Sequence, residues 1–194
     1  MAKYDVTFSC GHTEEIQLFG KTEERNNKIK YFKEHGLCSS CYKKQQEEKR
    51  EKAYEDALEN QNVTLGDLEG SDKQIQWAET LRKKAFIYYS EKYDEAIKKV
   101  EIKINDLMNE GQEDQAYKLT NQLEETKSLF SQARDIVFGN LKAKFWIDNR
   151  DKGLGLEDTI YKMILAEGRK IKEKSSDDPF GDESSRTFEK GVSL

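Results

Sequence analysis

All three cysteines of the chain lie at or before position 41, in two short knuckles. FSCGHTEEIQLFG, residues 8–20, carries Cys10 and His12 as C-x-H, and LCSSC, residues 37–41, carries Cys38 and Cys41 as C-x-x-C. Thiolate and imidazole are the ligands zinc prefers, in a tetrahedron with sulfur at ~2.3 Å and nitrogen at ~2.0–2.1 Å. An odd cysteine count with one C-x-x-C pair points to metal or redox chemistry in a reducing compartment, not to a disulfide framework. The redox reading needs a strand leading into a helix within a βαβ unit, and no such pattern surrounds Cys38. One ion shared by the two knuckles would draw everything between residues 10 and 41 into one small module. The expected ligands are therefore Cys10, His12, Cys38 and Cys41, around a structural Zn²⁺. His35, three residues before Cys38, is the alternative fourth ligand. At a helix end, however, it reads more simply as a solvated residue near the last carbonyls.

A rival reading uses some of the same residues. Zinc deaminases combine H-x-E with a later P-C-x-x-C, the glutamate shuttling protons for a zinc-bound water. Here His12-Thr13-Glu14 precedes Cys38-Ser39-Ser40-Cys41. Leu37 stands where the proline belongs, Cys10 is placed to fill the position that catalysis must keep open, and Glu14 lies in a strand-like segment.

The chain around the knuckles predicts a mainly α protein with a small β-hairpin. Residues 4–8 and 14–19 alternate apolar and polar, as half-buried strands do, and Gly11 in the turn between them is free to take positive φ. Thr22 suits the N-cap of a helix over 22–34, and Gly36 suits its C′ position. A charged helix over 42–60 completes a zinc-knuckle module of residues 1–60. Residues 61–71, with two glycines, read as a linker. Ser71 then caps a long amphipathic helix whose later stripe, Tyr93, Ile97, Val100, Ile104 and Leu107, is spaced like a coiled coil. Asn109-Glu110-Gly111 breaks it. A second long helix follows on Ala116, Leu119, Leu123, Phe130, Ala133 and Val137, with a continuation expected through Phe145 and Trp146. The two should pair as an antiparallel helical hairpin, a coiled-coil-like bundle over 72–174. Gly153 and Gly155 mark a turn, and a last helix over 156–174 turns Ile160, Met163, Ile164 and Ile171 inward. Residues 175–194 are polar, acidic and unpatterned, so a disordered tail is expected.

Composition narrows the function classes. Apolar residues make up 35% and charged residues 37%, which favours exposed helices over a thick core. The net charge of −5 argues against general affinity for nucleic acid and suits approach to a basic surface. Nowhere do 18 apolar residues run together, and residues 1–9 have no signal-like core, so an intracellular, soluble protein without membrane contact is expected. The glycines of KGLGL at 152–156 are too few for a phosphate loop, and no strand precedes them. The basic run Arg169, Lys170, Lys172 and Lys174 complements a helix C-terminus. Phe86, Tyr88, Tyr89 and Tyr93 crowd one stretch of helix, either as core or as a contact for a partner. No nucleophile–base set is evident, so no catalytic residue is assigned.

Two segments carry a resemblance. FSCGHTEEIQLFGKTEERNNKIKYFKEHGLCSSCYKK at residues 8–44 resembles small zinc-knuckle proteins carried by phages and other mobile elements of Firmicutes. LEGSDKQIQWAETLR at residues 68–82 is similar to a stretch that often follows that element. The phage-borne repertoire includes inhibitors of host CRISPR effector nucleases. The resemblance thus implies a non-enzymatic anti-CRISPR protein in the host bacterial cytoplasm, whose partner is a type II RNA-guided nuclease. The alternative is a DNA-binding or transcription accessory protein of a mobile element, using Lys28, Lys30, Lys33, Lys43 and Lys44 against phosphate.

Overall fold

A computed structural model describes residues 2–150 and 155–176 of the chain. The described residues form a two-stranded antiparallel hairpin followed by helices, so the chain is mainly α with an N-terminal β-hairpin. It divides into two compact units, Met1–Asp56 and Ala57–Leu194, with the division inside a helix.

In the first unit, β1 (Ala2–Thr7) pairs with β2 (Thr13–Leu18) in the register Val6↔Glu14 and Thr7↔Thr13. The strands begin and end one or two residues earlier than the alternation predicts, because the turn claims Phe8. The Phe8 N–H donates to His12 O at 2.9 Å and the Gly11 N–H to Phe8 O at 2.9 Å. Gly11 takes φ +81°, a left-handed value that costs an L-residue about 1–2 kcal/mol.

Helix α1 is Thr22–His35 and α2 is Ser39–Asn60. Thr22 is the first helical residue of α1 and not its cap. Lys21 holds the cap position, and its N–H donates to the Glu24 carboxylate at 3.2 Å. Gly36 likewise departs from expectation. Its backbone is extended at φ −86°, and a Cβ there would lie 2.9 Å from Phe32 Cα. Glycine serves here because a Cβ would press on Phe32, and its carbonyl is where the turn of the hairpin docks. Gly36 O accepts from the Ser9 N–H at 3.0 Å and from Ser9 Oγ at 2.7 Å.

Few apolar groups hold this unit together. Its buried cluster is Val6, Phe8 and Cys38, flanked by Tyr4, Cys10, Ile16, Ile29, Phe32 and Cys41. Phe8 and Phe32 stack at 5.5 Å, yet no residue of α1 is fully buried. All three cysteines thus belong to the small core itself.

The second unit is a helical bundle. α3 (Asp72–Asn109) and α4 (Glu113–Phe138) pack on each other, α5 (Ala143–Asn149) packs on α3, and α6 (Leu156–Ser176) packs on α3 and α4. Ser71 is the cap residue of α3, and its N–H donates to Gln74 Oε1 at 3.1 Å. The core is aromatic. Phe86 meets Phe138 edge-on at 4.9 Å, and Phe138 meets Trp146 at 5.4 Å, with Tyr89, Ile160 and Ile164 equally buried. Phe86 and Tyr89 are therefore core. Tyr88 and Tyr93 are half-buried, Tyr88 donating to Asp158 Oδ1 at 2.6 Å and Tyr93 stacking on Phe130 at 6.0 Å.

One expectation changes here. α4 does not continue through Phe145 and Trp146. It ends at Phe138, and the chain turns at Gly139–Asn140 before α5 begins. The turn is held by Glu69, whose N–H donates to Leu141 O at 2.7 Å and whose carbonyl accepts from the Ala143 N–H at 3.0 Å. Backbone committed to that bridge cannot also continue a helical ladder. The expected linker, residues 61–71, falls within the second unit and is held there by contacts. Leu68 is buried, and Gly66 O accepts from the buried Arg82 at 2.7 Å. The turn expected at Gly153 lies outside the described residues, and so does the tail expected from 175, except that Ser175 and Ser176 continue α6 as helix.

Candidate metal centre

The hairpin turn presents Cys10 and His12, and the junction of α1 and α2 presents Cys38 and Cys41. Cys41 sits in the first turn of α2, so the C-x-x-C pair is held by a helix N-terminus. The ligand atoms of all four residues lie within 4.8 Å of one another. His12 Nδ1 is the ring nitrogen turned to sulfur, 3.3 Å from Cys41 Sγ and 3.7 Å from Cys38 Sγ. Tetrahedral zinc bonds set neighbouring ligand atoms about 3.5–3.8 Å apart, so the cluster is compatible with a metal ion of that size. All three cysteines are free thiols.

Backbone donors already face the sulfurs. The Cys38 N–H donates to Cys10 Sγ at 3.4 Å, the Cys41 N–H donates to Cys38 Sγ at 3.4 Å, and Ser40 Oγ lies 3.2 Å from Cys38 Sγ. Outer hydrogen bonds of this kind orient metal ligands and spread the charge of thiolates. They also divide the thiols. The Cys38 N–H, followed by the His12 N–H, lowers the Cys10 thiol from 9.0 to about 7. The Ser40 hydroxyl, with the Cys41 N–H, lowers Cys38 as well. Cys41 moves the other way, to about 11, because its hydrogen bond to Cys38, burial and the nearby Cys10 all disfavour a further negative charge. Three thiols so close titrate as a set, and a divalent cation is what allows all of them to ionise together.

Glu14 lies beside this cluster on β2. Its carboxylate accepts the Ser39 N–H at 2.9 Å and the Ser39 hydroxyl at 2.6 Å, and these two bonds hold its carboxyl below the usual range. His35 stands apart, exposed, with its ring 5.5 Å from Tyr31 and its Nε2 3.9 Å from a Glu34 oxygen.

The spacing of the knuckles thus brings together the four residues expected as ligands. It does not reveal what surrounds them. Ser9, Ser39 and Ser40 were legible only as small polar residues beside cysteines. Their role follows from a general capacity: short hydroxyls bond backbone and side-chain groups wherever the chain turns. No protein-family model matches the chain, and no curated protein and no solved structure matches it either.

Proposed function

We propose that the cluster of Cys10, His12, Cys38 and Cys41 holds a structural Zn²⁺. The observation that carries this reading is a set of four N/S donors beside a small buried cluster of Val6, Phe8 and Cys38, with Leu18 and Tyr54 the other buried apolar residues described in that unit. Zinc suits three thiolates and an imidazole, and four protein ligands complete its tetrahedron. Metal binding free energy then becomes folding free energy for a segment with little core of its own. Zinc content of the purified chain, wild type against Cys10→Ala, tests this. A structural site loses zinc or fold in the variant. A deaminase, which needs only His12, Cys38 and Cys41, would keep both metal and activity. Against the deaminase stand the strand position of Glu14 and the commitment of its carboxylate to Ser39.

We further propose that the protein acts by binding, as a phage-borne inhibitor of a host type II CRISPR nuclease in the bacterial cytoplasm. The resemblance of residues 8–44 supplies the identity of the partner. Support for protein binding comes from the far half of the helical hairpin. Beyond Ser90, α3 has no fully buried residue, and Ile102, Met108 and Tyr117 are 52%, 52% and 70% exposed. Exposed Glu101, Asp106, Glu110, Glu113 and Asp114 lie close to them in sequence around the α3–α4 turn. Exposed Lys98, Lys99, Lys103 and Lys118 lie in the same stretch, so it offers apolar groups among charges of both signs, which suits a protein surface. The test is co-elution of recombinant protein with a guide-loaded type II effector, followed by a cleavage assay. Absence of a complex at any ionic strength would remove this reading.

A second reading is favoured by one observation on the first unit. Lys28, Lys30, Lys33, Lys43 and Lys44 are exposed, beside the exposed rings of Tyr31 and Tyr42. Basic and aromatic side chains together can engage nucleic acid. Duplex DNA affinity that falls steeply with salt would favour this accessory-protein reading over the inhibitor.

A further inference from the structure

We propose that Glu14 is a positioning residue for the metal centre: its carboxylate latches the Cys38–Cys41 knuckle to the strand that follows the Cys10–His12 knuckle. The inference rests on the zinc reading above.

The two knuckles come from elements far apart in sequence, and an ion binds tightly only if both arrive in place. One connection is made by backbone. The Ser9 N–H and hydroxyl reach Gly36 O, which fixes the turn of the hairpin to the end of α1. That contact and the Cys38 N–H bond to Cys10 Sγ at 3.4 Å both lie ahead of Ser39, so neither sets the direction in which α2 leaves. The second connection is Glu14. It follows His12 by two residues, and its pairing with Val6 across the hairpin puts the two on one face of the sheet. Val6 is fully buried in the cluster that contains Cys38, so this face is turned to the knuckles. Its two carboxylate oxygens then take the two donors of one residue, the Ser39 N–H at 2.9 Å and the Ser39 hydroxyl at 2.6 Å.

Ser39 is the residue immediately after Cys38 and the first of α2. Its N–H is one of those a helix leaves without an internal partner, so an acceptor from outside the helix both satisfies it and sets the direction in which α2 leaves. A carboxylate at this end also complements the helix dipole. With Ser39 fixed, the Cys41 N–H and Ser40 hydroxyl fall on Cys38 Sγ, and Cys41 faces His12. Neighbouring Glu15 lies on the other face of the strand, ion-paired to Lys3 at 2.7 Å, and has no such part.

The test is zinc affinity of the full chain by competition with a chromophoric chelator, for wild type, Glu14→Ala, Ser39→Ala and Glu15→Ala, with Co²⁺ spectra of each. Glu14→Ala should weaken zinc binding about 10- to 100-fold, the usual cost of losing an outer-shell partner. Ser39→Ala, which keeps the N–H bond, should cost less, and Glu15→Ala should stay within about twofold, as for exposed ion pairs. The sulfur-to-Co²⁺ charge-transfer bands should be unchanged in Glu14→Ala, since its ligands are intact. Should Glu14→Ala fail to fold, the ranking of Ser39→Ala below Glu15→Ala decides. Wild-type affinity in both Glu14→Ala and Ser39→Ala, or equal losses in Glu14→Ala and Glu15→Ala, overturns the inference. So does a changed Co²⁺ spectrum, which would make Glu14 a ligand. A wild-type chain that binds no metal overturns the zinc reading as well, and is thereby distinguished from failure of the latch alone.

Discussion

Cys10 and Glu14 show how differently two residues of one motif can be read. Cys10 was legible as a ligand because zinc needs four donors and the C-x-H spacing offers its second donor with His12. Glu14 was legible only as the last letter of H-x-E, a signature of proton transfer. Its bonds to Ser39 depend on the direction of α2, which no spacing within residues 10–14 encodes. His35 reads from its helix-end position as a solvated residue, and its exposed ring beside Tyr31, away from the thiols, agrees with that. Two outcomes belong to this scale. His35→Ala should leave zinc stoichiometry unchanged by elemental analysis, whereas His12→Ala should abolish it or weaken binding strongly. Zinc binding should also release protons. At pH 7 the Cys41 thiol, at about 11, carries its proton and the Cys10 thiol, at about 7, is half ionised. The metal-free state therefore holds protons that the bound state lacks, and affinity must rise with pH. Calorimetry in buffers of different ionisation heat should read more than one proton released per zinc at pH 7. Release near zero would mean the thiols do not ligate.

Periodicity matches the helices of the second unit except at one place. The stripe Tyr93, Ile97, Val100, Ile104 and Leu107 is half-buried along its whole length, as expected for a helix that meets one partner there. Ile160 and Ile164 are buried as the α6 pattern requires. The break between α4 and α5 was hidden because Phe145 and Trp146 continue an apolar rhythm that Gly139 alone interrupts. What ends the helix is a backbone bridge to Glu69, a long-range contact that local pattern does not contain. Trp146 shows why the chain folds back there. It is fully buried against Phe138 and Phe145, and its indole N–H donates to Asn140 O at 3.0 Å. Trp146→Ala should cost about 3–5 kcal/mol in denaturant unfolding followed by far-UV circular dichroism. A loss below about 1 kcal/mol would mean that α5 is not part of the cooperative core.

At the scale of the whole molecule, two units of different construction share one chain. The second is held by an aromatic core, and tyrosines make it sensitive to base. The hydrogen bond to Asp158 and burial push the Tyr88 hydroxyl up to about 12, and burial raises Tyr89 and Tyr93 as well. Their folded values lie above the unfolded 10.0, so the folded state holds protons that the unfolded state has lost. This stability is complete below pH 10 and declines as pH rises through 12. Helical signal should therefore be lost on raising pH through that window, and Tyr88→Phe should make the dependence shallower. The glycines and polar residues that make residues 61–71 read as a linker describe equally well a segment pinned by its own backbone, as Glu69 and Gly66 are. The first unit has its three cysteines in or against its small buried cluster, and we propose that they close around zinc. Native mass spectrometry of the full chain, purified without chelator, measures this directly. The expected result is one zinc per chain, with the cysteine protons displaced and the thiols slow to react until a chelator is added. A metal-free chain with three freely reactive thiols would contradict it.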